Sequence, residues 1–119
     1  MPNIRLMVLD YKRRANVDKI CSVFTQHMPV TIINNNPNIP YPHLPHPVDV
    51  INNERNWFCM ERWVRCYEYD EPYKLIVDDD LLPHPSLVKK MLEKNLPIVG
   101  IYGKSGVKTA NAYKDLVDH

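Results

Sequence analysis

The sequence predicts a single α/β domain with a mostly parallel sheet flanked by helices, and three observations predict this class. Short apolar segments of strand length alternate with segments whose apolar residues recur at helical spacing, which is typical of consecutive βαβ units. Each apolar segment also ends in polar residues, as expected where buried parallel strands reach the edge of a sheet. At 119 residues, the chain is long enough for one hydrophobic core and too short for two.

The strands are predicted from short apolar runs that are bounded by polar or turn-forming residues. Between the second and third runs, residues 37–47 contain five prolines, which excludes a helix or a central strand and indicates an extended surface loop. The five predicted strands are residues 4–9, 30–33, 48–51, 73–77 and 98–102.

The helices are predicted from apolar spacing and from their first residues. Asn56 is a suitable N-cap for the second helix, and Pro85 suits the first turn of the third. A weak helix or a tail is predicted for residues 110–117. The side chains expected to face the core are Val17, Ile20, Cys21, Phe24 and Met28 in the first helix, Met60, Trp63, Val64 and Tyr67 in the second, and Leu87, Val88, Met91 and Leu92 in the third.

Composition and charge exclude several classes of protein. The formal net charge is +1 with no basic stripe, which argues against a protein that holds nucleic acid by bulk charge. No segment approaches the roughly 18 apolar residues that a membrane helix requires, and the first ten residues do not resemble a signal peptide. The three cysteines form no CxxC motif, so we expect free thiols in a cytoplasmic protein.

Three consecutive aspartates, Asp78, Asp79 and Asp80, directly follow the fourth predicted strand. Polar residues also follow the first three strands, and ligands of open parallel sheets bind at this edge. Carboxylate oxygens suit Mg²⁺ or Mn²⁺, which takes its remaining ligands from water and phosphates. The alternative interpretation is a solvated acidic turn whose negative charge caps the next helix.

Two α/β families with carboxylates at strand ends fit the sequence poorly. Receiver domains need an acidic pair after the first strand, where this chain offers Asp10 alone, although Lys104 could imitate their lysine. Haloacid-dehalogenase phosphatases carry their aspartates on the first strand and need Thr or Val where Leu82 stands. A zinc site is also disfavoured, because His43 and His46 lie in the proline loop without cysteines at ligand spacing.

A third family matches better, on five segments in order: LDYKRRANV, VTIINNNP, VDVINNERNWFCMERW, KLIVDDDLLPHP and LPIVGIYGK. In this order and spacing, the chain resembles glycosyltransferases of the GT-A fold, particularly the exostosin-like and chlorovirus-type enzymes. The resemblance predicts a nucleotide-sugar-binding domain over residues 1–106, with residues 107–119 as a polar tail or short helix.

The resemblance implies a role for each matching residue. The loop after the first strand would hold the nucleoside, and Asn34 would contact the base. The ligands would be a nucleotide diphosphate sugar, most simply a UDP-sugar, and Mn²⁺ or Mg²⁺, held by Asp80 together with Asp78. Donor-binding residues implied in this way are Asp10, Tyr11, Arg13, Asn34, Asn53, Arg55, Arg62, Asp78 and Asp79.

The resemblance also leaves a gap, because such enzymes continue well beyond the point that matches Gly106. That part supplies the site for a glycan or protein acceptor and, in inverting members, the catalytic base. Asp115 and Asp118 are the only carboxylates that remain here, and no base is assigned to them. A second hypothesis is therefore a catalytically incomplete binding or assembly module with the same fold, in which an exposed sheet edge or apolar face seeks a partner.

Several of these residues also have plain structural interpretations. Arg62 is equally an exposed helix cation, and Trp57 and Trp63 are expected in the core or an interface more than against a base. Cys59 and Cys66 have no neighbouring histidine that would mark a nucleophile, so we expect structural thiols.

Overall fold

The structure, a computed structural model, describes residues 3–95 with the exception of the Cys59 side chain. The chain divides into two compact units, Met1–Pro85 and Ser86–His119. The sheet, the first two helices and the strand ends considered below all belong to the first unit. The predicted strand 98–102, the predicted helix 110–117 and the predicted boundary at Gly106 lie outside the described residues.

Strands and helices alternate along the described chain except between β2 and β3, which the proline loop joins directly. None of these helices has the length and apolar character needed to cross a membrane. The elements are β1 (Ile4–Asp10), α1 (Arg14–Phe24), β2 (Val30–Asn34), β3 (Val48–Asn52), a 3-10 turn (Phe58–Met60), α2 (Glu61–Cys66), β4 (Tyr73–Asp78) and α3 (Pro85–Glu93).

The four strands form one parallel sheet in the order β3-β2-β1-β4. The last residues of three strands lie side by side, because Asp10 is in register with Asn34 and Asn34 with Asn52. On the other side of β1, Asp78 is in register with Leu9. The predicted α/β class with a parallel sheet is confirmed, and its strand ends share one edge.

The core of the first unit lies around the two central strands. All five side chains of β2 are buried, whereas the edge strand β3 has none buried. Helix α1 contributes Val17, Ile20 and Phe24, as its spacing predicts. Met28 is buried as well, but it follows the end of α1 because the chain turns there toward β2. Burial on both faces explains why β1 and β2 read as continuous apolar runs.

Helix α2 differs from the prediction in both extent and orientation. It begins at Glu61, not near Asn56, and spans six residues after a 3-10 turn. The four residues expected to face the core are all exposed, and Glu61 is the buried residue of the helix. The prediction of a core-facing apolar side is therefore wrong. The reason is that polar bonds to α2, described below, turn its other side inward.

A closed cluster of charges lies near the amino ends of the strands. Both nitrogens at one edge of the Arg5 guanidinium donate to the Glu71 carboxylate, at 2.9 and 3.0 Å. Arg5 also donates to the Thr31 hydroxyl at 3.1 Å, and its guanidinium stacks on the Tyr69 ring. The hydrogen bond from Arg5 lowers the pKa of Glu71 below its ordinary value of 4.5. The Arg5 guanidinium and the Glu71 carboxylate therefore have their hydrogen-bond partners within the protein.

Candidate functional site

The order of the strands creates a switch point at the carboxyl edge of the sheet. Strands β2 and β3 are added successively on one side of β1, and the chain then returns to place β4 on the other side. In open parallel sheets, ligands bind in the crevice at such a switch point, which here lies between the loops that follow β1 and β4. Residues 10–13 form one border of this crevice and residues 78–80 form the other.

Asp10, the last residue of β1, is almost fully buried and engaged on both oxygens. Its Oδ2 accepts a hydrogen bond from the Tyr41 hydroxyl, and its Oδ1 accepts one from the Arg13 backbone N–H at 3.3 Å. Burial raises the pKa of Asp10 above its ordinary value. Asp10 therefore joins the proline loop to the start of α1 and has no oxygen turned to solvent.

Asp79 ties the two borders of the crevice together. Its Oδ2 accepts hydrogen bonds from the backbone N–H groups of Tyr11 and Lys12, at 2.9 and 3.2 Å. From α1, the Asn16 amide donates to the carbonyls of Asp79 and Leu81, at 2.8 and 2.7 Å. The loop after β1 and the turn after β4 are thus held as one unit by four hydrogen bonds.

Asp78 and Asp80 differ from Asp79 because, within residues 3–95, neither of their carboxylates accepts a hydrogen bond from a backbone N–H. Asp78 forms an ion pair with Arg62, which reaches it from α2. The Nε of Arg62 is buried and has no hydrogen-bond partner within residues 3–95. Asp80 is exposed, and no donor in the same described range contacts its carboxylate. The repulsion within the triplet is therefore relieved by one cation, two amides and solvent.

The asparagines after β2 and β3 form a closed network. The Asn34 amide donates to the Ile39 carbonyl and to the Asn52 side chain, both at 2.9 Å, and its oxygen accepts from the Asn36 N–H at 2.9 Å. A second pair joins the same two strand ends, since Asn53 donates to the Asn35 side chain at 2.7 Å. Asn34 and Asn35 are completely buried. These amides hold the strand ends and the loops that follow them.

The predicted donor-binding residues differ in their surroundings: some are exposed, and others are already engaged by groups of the protein. Tyr11 and Arg13 are exposed on the loop after β1, as the prediction requires. The Asn53 oxygen accepts from Arg65 at 3.0 Å, so its side chain is used within the protein. Arg55 stacks on the Trp57 ring, with its Cζ 3.7 Å from the ring centroid. The roles of Asn34, Asn53 and Arg55 in ligand binding remain predictions.

Two residues that stabilise this edge, Tyr41 and Asn16, were not predicted from the sequence. Tyr41 lies in the proline loop, yet its side chain is buried and its hydroxyl reaches Asp10. The Arg14 guanidinium stacks on the same ring at 3.7 Å. Asn16 was missed because a polar residue early in a helix looks like a solvent-exposed one. For Tyr41 the signal was a single aromatic among five prolines, since an aromatic ring in an otherwise open loop needs burial.

The donor groups at this edge determine which kind of metal ion could bind there. Within residues 3–95, no group of three or more His, Cys, Asp or Glu side chains is gathered closely enough to hold an ion unaided. Mg²⁺ is commonly bound by one or two carboxylates and completed by water and phosphates, and Asp78 with Asp80 matches that smaller set. The described residues thus fit an ion that arrives with a phosphate ligand.

The described thiols are not activated. Burial raises the pKa of Cys21 to about 11, and burial also raises the pKa of Cys66 above its ordinary value. Both remain protonated at neutral pH, which removes the thiolate that nucleophilic chemistry needs. The Cys59 side chain lies outside the described part of the structure.

A cavity of about 450 Å³ lies beside the edge strand β3. Its lining includes Tyr41 and Asn52, which also take part in the closed network, but none of Asp78, Asp79 or Asp80. The cavity is thus adjacent to the asparagine side of the strand ends and separate from the aspartate side.

No model of a known protein family matches this chain. Neither the curated proteins nor the solved structures contain a match. What the chain binds is therefore inferred from its own residues and their arrangement.

Proposed function

We propose that this chain binds a nucleotide diphosphate sugar, with UDP as the simplest nucleotide, together with Mn²⁺ or Mg²⁺ in the crevice between β1 and β4. The reaction class is metal-dependent glycosyl transfer. The observation that carries the proposal is the contrast within the triplet: Asp80 is exposed and Asp78 is paired only with a cation, at the switch point of a parallel sheet.

The two carboxylates supply the hard oxygen ligands that such an ion takes from a protein. Asp80 would bind it directly, and Asp78 would either share it or hold the ribose. The Asp79 carboxylate is occupied by the amides of Tyr11 and Lys12, so it positions the nucleoside loop and leaves the ion to its neighbours.

Arg62 supports an anionic ligand on separate grounds. Its Nη1 holds Asp78, while its buried Nε has no partner among the described residues. An unpaired buried donor costs free energy, about 1–3 kcal/mol for a typical group, and a phosphate oxygen would relieve that cost. The planar guanidinium can donate to a carboxylate and a phosphate at the same time.

The chemistry follows from where charge develops. In glycosyl transfer, the bond from the anomeric carbon to the phosphate oxygen breaks, and its electron pair leaves with the diphosphate. The acceptor oxygen forms the new bond and gives up its proton to the departing diphosphate or to solvent. A bound divalent ion would supply stabilisation of the diphosphate charge. Arg62 would add a preorganised cation beside the same group, and Tyr11 and Arg13 would border the nucleoside.

The decisive experiment is calorimetric titration of the full chain with UDP, with and without Mn²⁺. We expect binding to require Mn²⁺, and we expect Asp80→Ala to weaken it at least tenfold, about 1.4 kcal/mol. The physical reason is the loss of the most accessible carboxylate ligand. Urea unfolding of the same samples shows whether the variant has kept its fold.

Asp70→Ala is the matched control, because Asp70 is also exposed and belongs to the same unit, but precedes β4 instead of following it. We expect this variant to bind UDP and Mn²⁺ like the unchanged chain. Equal UDP affinity with and without Mn²⁺, or an Asp80→Ala variant that binds as well as the control, would contradict the proposal.

A second candidate is a binding or assembly module that retains the donor site and lacks transfer activity. The observation that favours it is the commitment of Asp10 and Asp79 to protein hydrogen bonds, which removes two carboxylates beside the crevice from acting as a base. Incubation with UDP-sugars and measurement of released UDP separates the two candidates. Release that disappears in Asp80→Ala would rule out the inactive module.

A further inference from the structure

Helix α2 and its flanking residues carry an apolar stripe that the described fold leaves open. Met60, Trp63, Val64 and Tyr67 follow one another at the i, i+3, i+4, i+7 spacing that places side chains on one face of a helix. Their exposed fractions are 67%, 50%, 57% and 92%. Such a stripe is typical of a helix that packs against another element.

The orientation of the stripe is fixed by polar bonds on the opposite side of α2. Glu61 is buried and accepts from the Arg65 Nε at 2.5 Å, and Arg65 donates in turn to Asn53 at 3.0 Å. Arg62 is anchored to Asp78. Turning the stripe toward the sheet would break the bonds from Arg65 to Asn53 and from Arg62 to Asp78, so contacts to the strand ends hold the apolar residues outward.

The turn before α2 extends the aromatic surface. Phe58 is 71% exposed and has a φ of 61°, a left-handed backbone that costs free energy for a residue with a Cβ. This backbone is held from both sides, because its N–H donates to the Asn56 side chain at 2.8 Å and its carbonyl accepts from the buried Asn35 at 3.1 Å. Trp57 is also about half exposed.

We propose that this stripe is the interface of a homodimer in which α2 of one copy packs antiparallel against α2 of a second copy about a two-fold axis. The pairing brings Met60 of each copy toward Tyr67 of the other, with Trp63 and Val64 near the axis. Such an isologous contact uses the same patch twice and closes on itself. This inference is independent of what the strand ends bind.

The exposed area of the stripe agrees with a second copy of the chain as its partner. The exposed parts of the four stripe residues amount to on the order of 500 Å², given the area that large side chains present. With Trp57, Phe58 and a polar rim, each copy approaches the roughly 800 Å² that one partner contributes to a standard interface. An apolar patch of this size lies in the upper part of the range that monomeric proteins expose, and such patches often mark binding sites.

Charge also favours a second copy. The stripe is bordered in the sequence by both signs of charge, with Glu54 and Arg55 before it and Glu68 after it. The formal net charge of the whole chain is only +1, so two copies approach without long-range repulsion. Because the stripe projects from a helix, it pairs with another helix by packing ridges into grooves.

The test is sedimentation velocity of the full chain over a range of concentrations, beside the variant Tyr67→Glu. We expect a dimer for the unchanged chain, with a Kd at or below about 10 μM, and a Kd raised at least tenfold by the substitution. Tyr67 is almost fully exposed, so the new carboxylate does not disturb the fold of one copy. Val64→Glu tests the position near the axis in the same way.

Ile39→Glu is the matched control, since Ile39 is a half-exposed apolar residue in the proline loop, away from α2. We expect it to dimerise like the unchanged chain. A chain that stays monomeric at about 100 μM would overturn the proposal, as would a dimer that survives both Tyr67→Glu and Val64→Glu. A monomer whose stripe is covered by residues 96–119 would give the first of these results.

Discussion

The two halves of the carboxyl edge of the sheet look alike in sequence and differ in structure. On the side of β2 and β3, three of the four paired asparagines are buried, and each of their amides is bound to a neighbouring strand end or loop. On the side of β4, Asp79 alone is used in this way, while Asp78 is held by a cation and Asp80 faces solvent. Polar residues that follow a buried strand are therefore hydrogen-bonded within the protein on one side of the edge and are largely open to solvent on the other.

This difference gives a criterion for separating the residues that support the fold from those of the candidate site. A polar group whose hydrogen bonds are all made within the protein contributes to stability and is costly to remove. A polar group at the same edge without internal partners contributes little to stability, so its presence calls for another explanation. By this criterion, the asparagine side supports the crevice, whereas the Asp80 carboxylate and the Arg62 Nε have no partner within residues 3–95.

Asn34→Ala provides the strongest test of the asparagine side. We expect the free energy of unfolding to fall by about 3 kcal/mol, because three part-buried hydrogen bonds are lost at once. Urea unfolding measures the change. Asn38→Ala is the control, since this asparagine is exposed in the following turn, and we expect it to stay within about 0.5 kcal/mol. A loss below 1 kcal/mol in Asn34→Ala would show that the network is not structural.

Asp79→Ala tests whether the triplet is divided as the hydrogen bonds indicate. We expect a loss of stability of about 1–2 kcal/mol, because the loop after β1 loses its two amide contacts. Asp80→Ala, by contrast, should remain within about 0.5 kcal/mol of the unchanged chain. Thermal and urea unfolding of the two variants give the comparison. Equal losses at both positions would remove the distinction between a structural and an available aspartate.

Asp10→Asn gives the smallest expected effect, a change in how stability depends on pH. The pKa of Asp10 is raised by burial, so from its ordinary value of 3.8 up to the raised value the folded chain binds more protons than the unfolded chain. The Asp10 contribution to unfolding free energy therefore falls as pH rises through that interval. Asparagine does not titrate, so the parent should lose stability relative to Asp10→Asn as pH increases there.

Glu71→Gln is the matched control for the sign of that effect. Its hydrogen bond from Arg5 lowers the pKa of Glu71, so the parent is stabilised by Glu71 above 4.5 and loses that contribution as pH falls through the lowered value. The stability difference for Glu71→Gln should therefore run in the opposite direction with pH. Urea unfolding at a series of pH values measures both. A difference of the same sign for the two variants would contradict the burial of Asp10.

Sequence reasoning succeeded where a single short-range pattern sufficed. The boundaries of β1 to β4 agree with the predicted strands to within one residue, because apolar runs ending in polar residues are local signals. Helix α3 begins at Pro85, as predicted. The α2 region failed for the opposite reason. Its apolar spacing was recognised, but spacing alone does not say whether the partner of that face is the sheet or something else.

The candidate site was predictable as a place and not as a set of contacts. Aspartates directly after a strand indicate the carboxyl edge of a parallel sheet, and Asp78 to Asp80 do lie there. Which of the three is bound to backbone amides depends on how closely the loop after β1 approaches the turn after β4. That approach joins residues almost 70 positions apart in the chain, and no local pattern encodes it. Tyr41 was missed for the same reason.

The sequence by itself determined the α/β class, the strand positions and the gathering of polar residues at one edge, because apolar periodicity and chain breakers act over a few residues. The tertiary structure alone decided which polar groups are hydrogen-bonded within the protein and which are left without an internal partner. It also decided that the apolar side of α2 faces outward. Hydrogen bonds and ion pairs between distant segments set both outcomes, since a buried polar group must find its partner wherever the fold brings one.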